Sequence, residues 1–271
     1  MQPHPYLSRI TIYPVKSLDG VDLQKAVITA SGCLLHDREY AIADTDGNFM
    51  IGKTNPLVHS LRSSVDCESG NIVFRRQDET KWNRFHLERD ASAIRSYLTD
   101  YFGIPCGLIQ DQQGRFMDIP DVASVTVVST ASLKSISEWF PNMDMDETRK
   151  RFRVTIEIDS VPAFWEDYLF ASEGFAIEFT IGRVTVFGMS PRARCVVPTR
   201  NPESGEVTHA FPKTFARNRA LELPEWSHLE EFGNHYYLTV NCHIPPTEVS
   251  KWIRIGDEIN IVGKRKSPEI V

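Results

Sequence analysis

The stretch FAIEFTIGRVTVFGM, residues 175–189, decides the fold. Phe175 to Thr180 and Val184 to Met189 are two short apolar runs rich in β-branched and aromatic residues, and Ile181-Gly182 between them signals a turn. Working outward, further strand candidates are Arg151 to Ile158, Tyr236 to Asn241 and Glu258 to Val262, the last entered through Gly256-Asp257. Short strands at such close spacing point to a barrel or a sandwich. Towards the N-terminus, Ile10 and Ile12 alternate with polar residues until Tyr13-Pro14 breaks the run, and Glu39 to Ala43 and Asn48 to Ile51 flank the hairpin dipeptide Asp46-Gly47. Two helices punctuate the strands. One is capped by Asp90, carries Ile94, Tyr97, Leu98 and Tyr101 on one face and stops at Gly103; the other follows Ser129 with Leu133, Ile136 and Phe140. The expected class is α+β and β-rich, in two units divided near residue 120 (1–120 and 121–271).

The chain has 271 residues, 41% hydrophobic and 24% charged, which is ordinary globular composition. Its formal net charge of −6 removes the overall electrostatic case for a nucleic-acid partner, so any anion site must be locally basic. Arg149, Lys150, Arg151 and Arg153 supply one such segment, which alone reads equally well as a solvated face. No apolar run approaches the roughly 18 residues of a membrane span, and the N-terminus resembles neither a secretion nor an organellar signal. Five scattered cysteines argue against a disulfide framework and a zinc cluster, so a cytoplasmic location without a membrane partner is the expectation.

Phosphate loops, dinucleotide turns, H-E-x-x-H, C-x-x-C and iron–sulfur cysteine clusters are all missing. What remains is Pro191-Arg192-Ala193-Arg194-Cys195, straight after a strand and followed by the turn Thr199 to Gly205. Two guanidiniums beside one thiol favour the thiolate, the species that binds metals and attacks electrophiles. These residues alone leave open an inert half-buried thiol, a nucleophile paired with a distant histidine such as His209, and a metal ligand.

The run R-C-x-x-x-T-x-x-P-x-[ST]-G, carried by Arg194, Cys195, Thr199, Pro202, Ser204 and Gly205, resembles the signature of MOSC domains. Tyr13-Pro14-Val15-Lys16-Ser17 is similar to the Y-P-[VI]-K-S motif of the two-part branch that includes the amidoxime-reducing components. Gly32 to Arg38, Asp44 to Gly47, Lys150 to Arg153 and Ile253 to Asp257 match further motifs in order. Departures fall at Val154-Thr155, where the family has P-N, at Pro191 to Cys195, where its P-C-[SG]-R-C run keeps only the second cysteine, and at Ile51 to Pro56.

The resemblance implies an N-terminal β-barrel-like domain followed by a MOSC β-barrel domain with a few helices. It implies a molybdenum cofactor, a molybdopterin-type pyranopterin, with Cys195 as catalytic residue and metal ligand. Lys16, Ser17, Arg38, Arg151, Arg153 and Arg194 become the cofactor-binding candidates, since forked arginines match a phosphate. On a strand from 151 to 158, Arg151 and Arg153 would share a face. Asp37 is read as orienting Arg38 rather than as a base; His36 and His209 are read as hydrogen-bonded or surface residues, and Phe164 and Trp165 as packing. The implied reaction is reductive cleavage of the N–O bond of small N-hydroxylated compounds. Electrons would come from a separate electron-transfer protein or reductase, because no ferredoxin domain follows. The non-enzyme alternative is a carrier of the cofactor or its sulfur.

Overall fold

The computed structural model describes residues 4–112, 116–119 and 124–268. In chain order its strands are β1 (Tyr6–Ile12), β2 (Val21–Leu23), β3 (Lys25–Val27), β4 (Tyr40–Asp44), β5 (Leu61–Asp66), β6 (Asn71–Arg76), β7 (Asn83–His86), β8 (Cys106–Gln110), β9 (Val125–Ser129), β10 (Ile156–Asp159), β11 (Phe175–Ile181), β12 (Val184–Ala193), β13 (Tyr237–His243), β14 (Trp252–Arg254) and β15 (Ile259–Lys266). The helices are α1 (Ala91–Phe102), α2 (Thr130–Glu138), α3 (Met145–Phe152) and α4 (Phe211–Leu221). The fold is α+β and β-rich, as the strand spacing implied.

Eight strands form one sheet in the order β15-β11-β12-β13-β9-β10-β1-β2, and only the β9–β10 pair in it is parallel. The β11–β12 hairpin, one strand in from the β15 edge, is the stretch quoted first, turning at Gly182 with φ +56°. Residue 120, the expected division, lies outside the described residues, and strand pairing runs across it, because β1 hydrogen-bonds to β10. A bulge between Leu7 and Arg9 lets Leu7, Ile10 and Ile12 all face inward despite their uneven spacing. They join Val127, Ile156, Phe179 and Val186 in the main core.

A second core, with Val15, Leu61, Phe74, Ile94 and Leu98, fills the first half beneath α1. That helix lies where the sequence reading put it and stops at Gly103 in the left-handed conformation, but the Asp90 carboxylate accepts from His86 N instead of capping it. A third core packs α2, α3 and α4 around Phe152, Phe211 and Phe215, with the rings of Phe140 and Phe211 stacked at 4.3 Å.

Two expectations need correction. The strand expected from Arg151 to Ile158 begins only at Ile156; Arg151 lies in the last turn of α3. Asp144 caps that helix by accepting from Glu147 N, and acids in its first turn and bases in its last suit the helix dipole, so local capping overrides the strand pattern. The arm from Asn48 to Ile51 forms only a bridge at Phe49; β4 pairs instead with β8. The Asp44 carboxylate gathers the Asp46 and Asn48 amides into a closed turn, which leaves the second arm little ladder to extend.

Candidate functional site

The sequence places β12 so that it runs directly into Arg194 and Cys195. Arg194 N donates to Tyr236 O at 3.0 Å, and the Tyr236 hydroxyl donates to Cys195 O at 3.2 Å, so the next strand's entry holds the cysteine backbone. Beyond it a single 3-10 turn at Val197–Thr199 leads into the loop 201–205, closed by Asn201 accepting from Glu203 N and Ser204 N. Cys195 is half-buried.

Facing this loop is the segment 13–17, strapped alongside 38–40 by Arg38 N to Tyr13 O, Tyr40 N to Pro14 O and Lys16 N to Tyr40 O bonds. Ser17, Arg38 and Arg153 all adopt left-handed backbone, with φ of 70°, 52° and 52°. Three strained non-glycine residues converging on one place mark a position where side-chain direction is over-determined by the fold.

All seven residues singled out from the sequence, Lys16, Ser17, Arg38, Arg151, Arg153, Arg194 and Cys195, line one cavity of about 800 Å³. Among the described residues, thirteen lysines and arginines line it against six acids, so this acidic protein concentrates positive charge where an anion would sit. Arg38 and Arg153 lie against the Tyr13 ring, at 4.5 and 4.1 Å from its centroid. Burial drives the Tyr13 phenol up to about 12 despite these two cations, so it stays protonated.

The cations divide by partnership. Arg38 Nη1 donates to both oxygens of the fully buried Asp37, at 2.6 and 2.7 Å, and Asp37 also accepts from Tyr13 N at 2.8 Å. Burial opposes the Arg38 charge, yet Asp37 outweighs it and holds the guanidinium charged. His36 turns away from the cavity to Glu39, at 2.6 Å. Arg151 is spent on structure: its guanidinium bonds Glu147, Pro198 O and Thr208 and so ties α3 to the loop behind Cys195.

Arg153 and Arg194 form no salt bridge among the described residues; they donate to Leu18 O and Phe152 O. Burial lowers both, Arg194 to about 10 with Arg192 adding to the effect, while Cys195 partly offsets the loss at Arg194. Arg153 Nη2 and Arg194 Nε are buried with no acceptor. A buried guanidinium left without a carboxylate fits an anionic ligand, and a thiol beside it fits a soft metal, so the donor set suits a phosphorylated, metal-bearing cofactor.

Sequence reasoning missed Asp118, and it named Arg192 only as a cation beside the Cys195 thiol, not as part of the binding set. Asp118 takes Lys16 Nζ at 3.0 Å on one oxygen and Arg192 Nη2 at 2.9 Å on the other, joining the two halves of the chain across the site. Burial pushes the Asp118 carboxyl up, but Lys16 and Arg192 more than reverse this and keep it ionised. Asp118 lies in the polar stretch 111–121, which carries no pattern to mark it.

Among the described residues no group of three or more histidine, cysteine or acidic side chains could hold a metal ion by itself, and no helix is long and apolar enough to cross a membrane. Residues 4–104 match the family model of the MOSC N-terminal beta barrel domain. The chain is 23% identical to molybdenum cofactor sulfurase of Solanum lycopersicum over 96% of its own length, and spans 36% of that protein. It is 22% identical to mitochondrial amidoxime reducing component 2 of Homo sapiens, covering 85% of this chain and 78% of the relative. With mitochondrial amidoxime-reducing component 1 of Xenopus laevis it shares 22% identity, over 96% and 82% respectively. The first part of the chain thus matches the MOSC N-terminal beta barrel domain, and most of its length is similar to molybdenum cofactor sulfurases and amidoxime-reducing components.

Proposed function

We propose that this chain is a molybdenum-cofactor-dependent oxidoreductase that reduces the N–O bond of N-hydroxylated compounds, with Cys195 as the protein's ligand to molybdenum. The observation that carries the reading is the meeting of Cys195 with Lys16, Ser17, Arg38, Arg153 and Arg194, drawn from both halves of the chain, in one cationic cavity. The relatives named amidoxime reducing component support the substrate class.

When bound, the cofactor supplies a two-electron redox centre, and the chain supplies its position and electrostatics. Cys195 contributes a soft sulfur donor. Arg153 and Arg194, which no carboxylate neutralises, compensate the charge of a buried phosphorylated ligand, and Lys16 and Ser17 add donors from the opposite strap. Asp37 fixes the direction of Arg38, and Arg151 holds the 198 loop that presents Cys195. Electrons arrive from a separate electron-transfer protein or reductase. The two sequence units, 1–120 and 121–271, then act as the two walls of the cavity.

Similarity to molybdenum cofactor sulfurases favours a second reading, a protein that binds the cofactor or its sulfur and passes it on. Metal analysis of protein made in cofactor-proficient and cofactor-deficient cells, beside Cys195→Ala, tests the shared premise: molybdenum is expected only in the first, and equal content in all three ends both readings. Loaded protein that fails to reduce an amidoxime with an artificial donor leaves the carrier alone standing.

A further inference from the structure

A second cationic pair lines the same cavity apart from the motif residues. Arg62, from β5, donates through Nη2 to His59 O at 2.6 Å and meets Asp19 at 3.2 Å. Arg200, from the far half of the chain, donates through Nη1 to Gly205 O at 3.1 Å and forms no salt bridge among the described residues. His59 is their common neighbour. Gly205, with φ +73°, approaches so closely that an added Cβ would sit 3.5 Å from His59 Cβ, and the His59 ring reaches Gly52 O at 3.3 Å. Burial lowers the His59 pKa, and the charges of Arg200, Arg153 and Arg62 lower it further. Arg62 Nε and Arg200 Nε are buried with no acceptor.

Two guanidiniums from different halves of the chain, sharing one carboxylate between them, leave uncompensated charge that burial makes costly. Arg200 falls at an unspecified position of the R-C-x-x-x-T-x-x-P-x-[ST]-G run, and Arg62 lies outside every motif, so the shared signature does not call for either. A cavity of about 800 Å³ lies high in the roughly 300–1,000 Å³ range of small-molecule sites, with space for a second molecule beside a cofactor.

We propose that Arg62 and Arg200, which line the cavity from its two halves, form an oxyanion subsite for the substrate, so that the compounds reduced carry a carboxylate or phosphate. The inference rests on the reductase reading and narrows its substrate class. His59 and Gly205 link the two arginines, the His59 carbonyl accepting from Arg62 and the Gly205 carbonyl from Arg200.

The test uses the full chain loaded with cofactor, and equilibrium dialysis of 4-carboxybenzamidoxime and neutral benzamidoxime. In Arg62→Gln and Arg200→Gln, the preference for the carboxylated probe is expected to fall about tenfold, as loss of a charged hydrogen bond implies. Arg→Lys at either position should restore part of it. An unchanged preference in both glutamine variants overturns the subsite, whether or not any amidoxime is reduced; so does a loss of molybdenum in these variants, because the charges would then serve the cofactor. Preference lost in the variants while wild-type protein reduces neither probe keeps the subsite and removes the reductase reading. Competition by phenyl phosphate and by benzoate identifies which oxyanion the pair prefers; competition by neither overturns the proposal.

Discussion

The Arg153 guanidinium carbon lies 4.1 Å from the centre of the Tyr13 ring, and the Arg38 guanidinium lies against the same ring at 4.5 Å. Two like charges are thereby kept close by an aromatic face between a residue of the Y-P-V-K-S strap and a helix end more than a hundred positions away. The ring quadrupole favours both cations and partly relieves their mutual repulsion. Arg153→Lys keeps the charge but loses the planar stack. Molybdenum per chain is expected to fall several-fold while the thermal midpoint moves little; unchanged metal content would remove Arg153 from the binding set.

Asp37 is wholly buried and serves Arg38 and the Tyr13 amide together. Asp37→Asn leaves Arg38 without its counter-charge, at a cost of about 3 kcal/mol in unfolding free energy. Urea denaturation measures this. A loss below about 1 kcal/mol would show that Arg38 finds another partner.

Away from the cavity, Arg219 meets Asp167 in a buried ion pair that also takes the Ser227 hydroxyl. Arg219→Met strands the Asp167 carboxylate, and a destabilisation of about 3–5 kcal/mol is expected. Adding Asp167→Asn to the same protein should recover much of it, and a double variant no more stable than the single would show that the charge is not the cause.

Glu166 gives the stability a pH dependence with a definite sign. Burial raises its carboxyl from 4.5 to about 7, with Asp167 adding to the effect, so the folded chain prefers the protonated form. The contribution is fully present below the unfolded value and is lost as the pH rises through about 7, amounting to about 3 kcal/mol. Glu166→Gln should flatten this fall between about pH 4.5 and pH 7. If the slope of midpoint against pH is the same in both proteins, Glu166 is not its source.

Where local chemistry and long-range packing agreed, the sequence was readable. The helix from Ala91 to Phe102 has its apolar stripe, its glycine stop and a core waiting for it, and the β11–β12 hairpin has two apolar runs about a tight turn. The end of α3 was misread because Arg151, Phe152 and Arg153 alternate like a strand, whereas the Asp144 cap that decides the matter sits seven residues earlier. Helix α4 went unread although Phe211, Phe215 and Arg219 repeat every fourth residue, because an arginine rarely belongs to a buried face. The cavity itself drew on motif spacing, which names residues but not their partners. Asp118 acquires meaning only from Lys16 and Arg192, far away in the chain.

The bulged opening strand has a further implication for assembly. Since β1 inserts between β10 and β2, it waits for its β10 partner until the chain through Asp159 has been made, and the large sheet is complete only once β15 has followed, with β1 pairing across some 150 residues. Closure is thus a late, slow event during synthesis. Two polypeptides cut between the halves should each lack a ladder partner yet recombine when mixed, restoring the basic chamber without a covalent link.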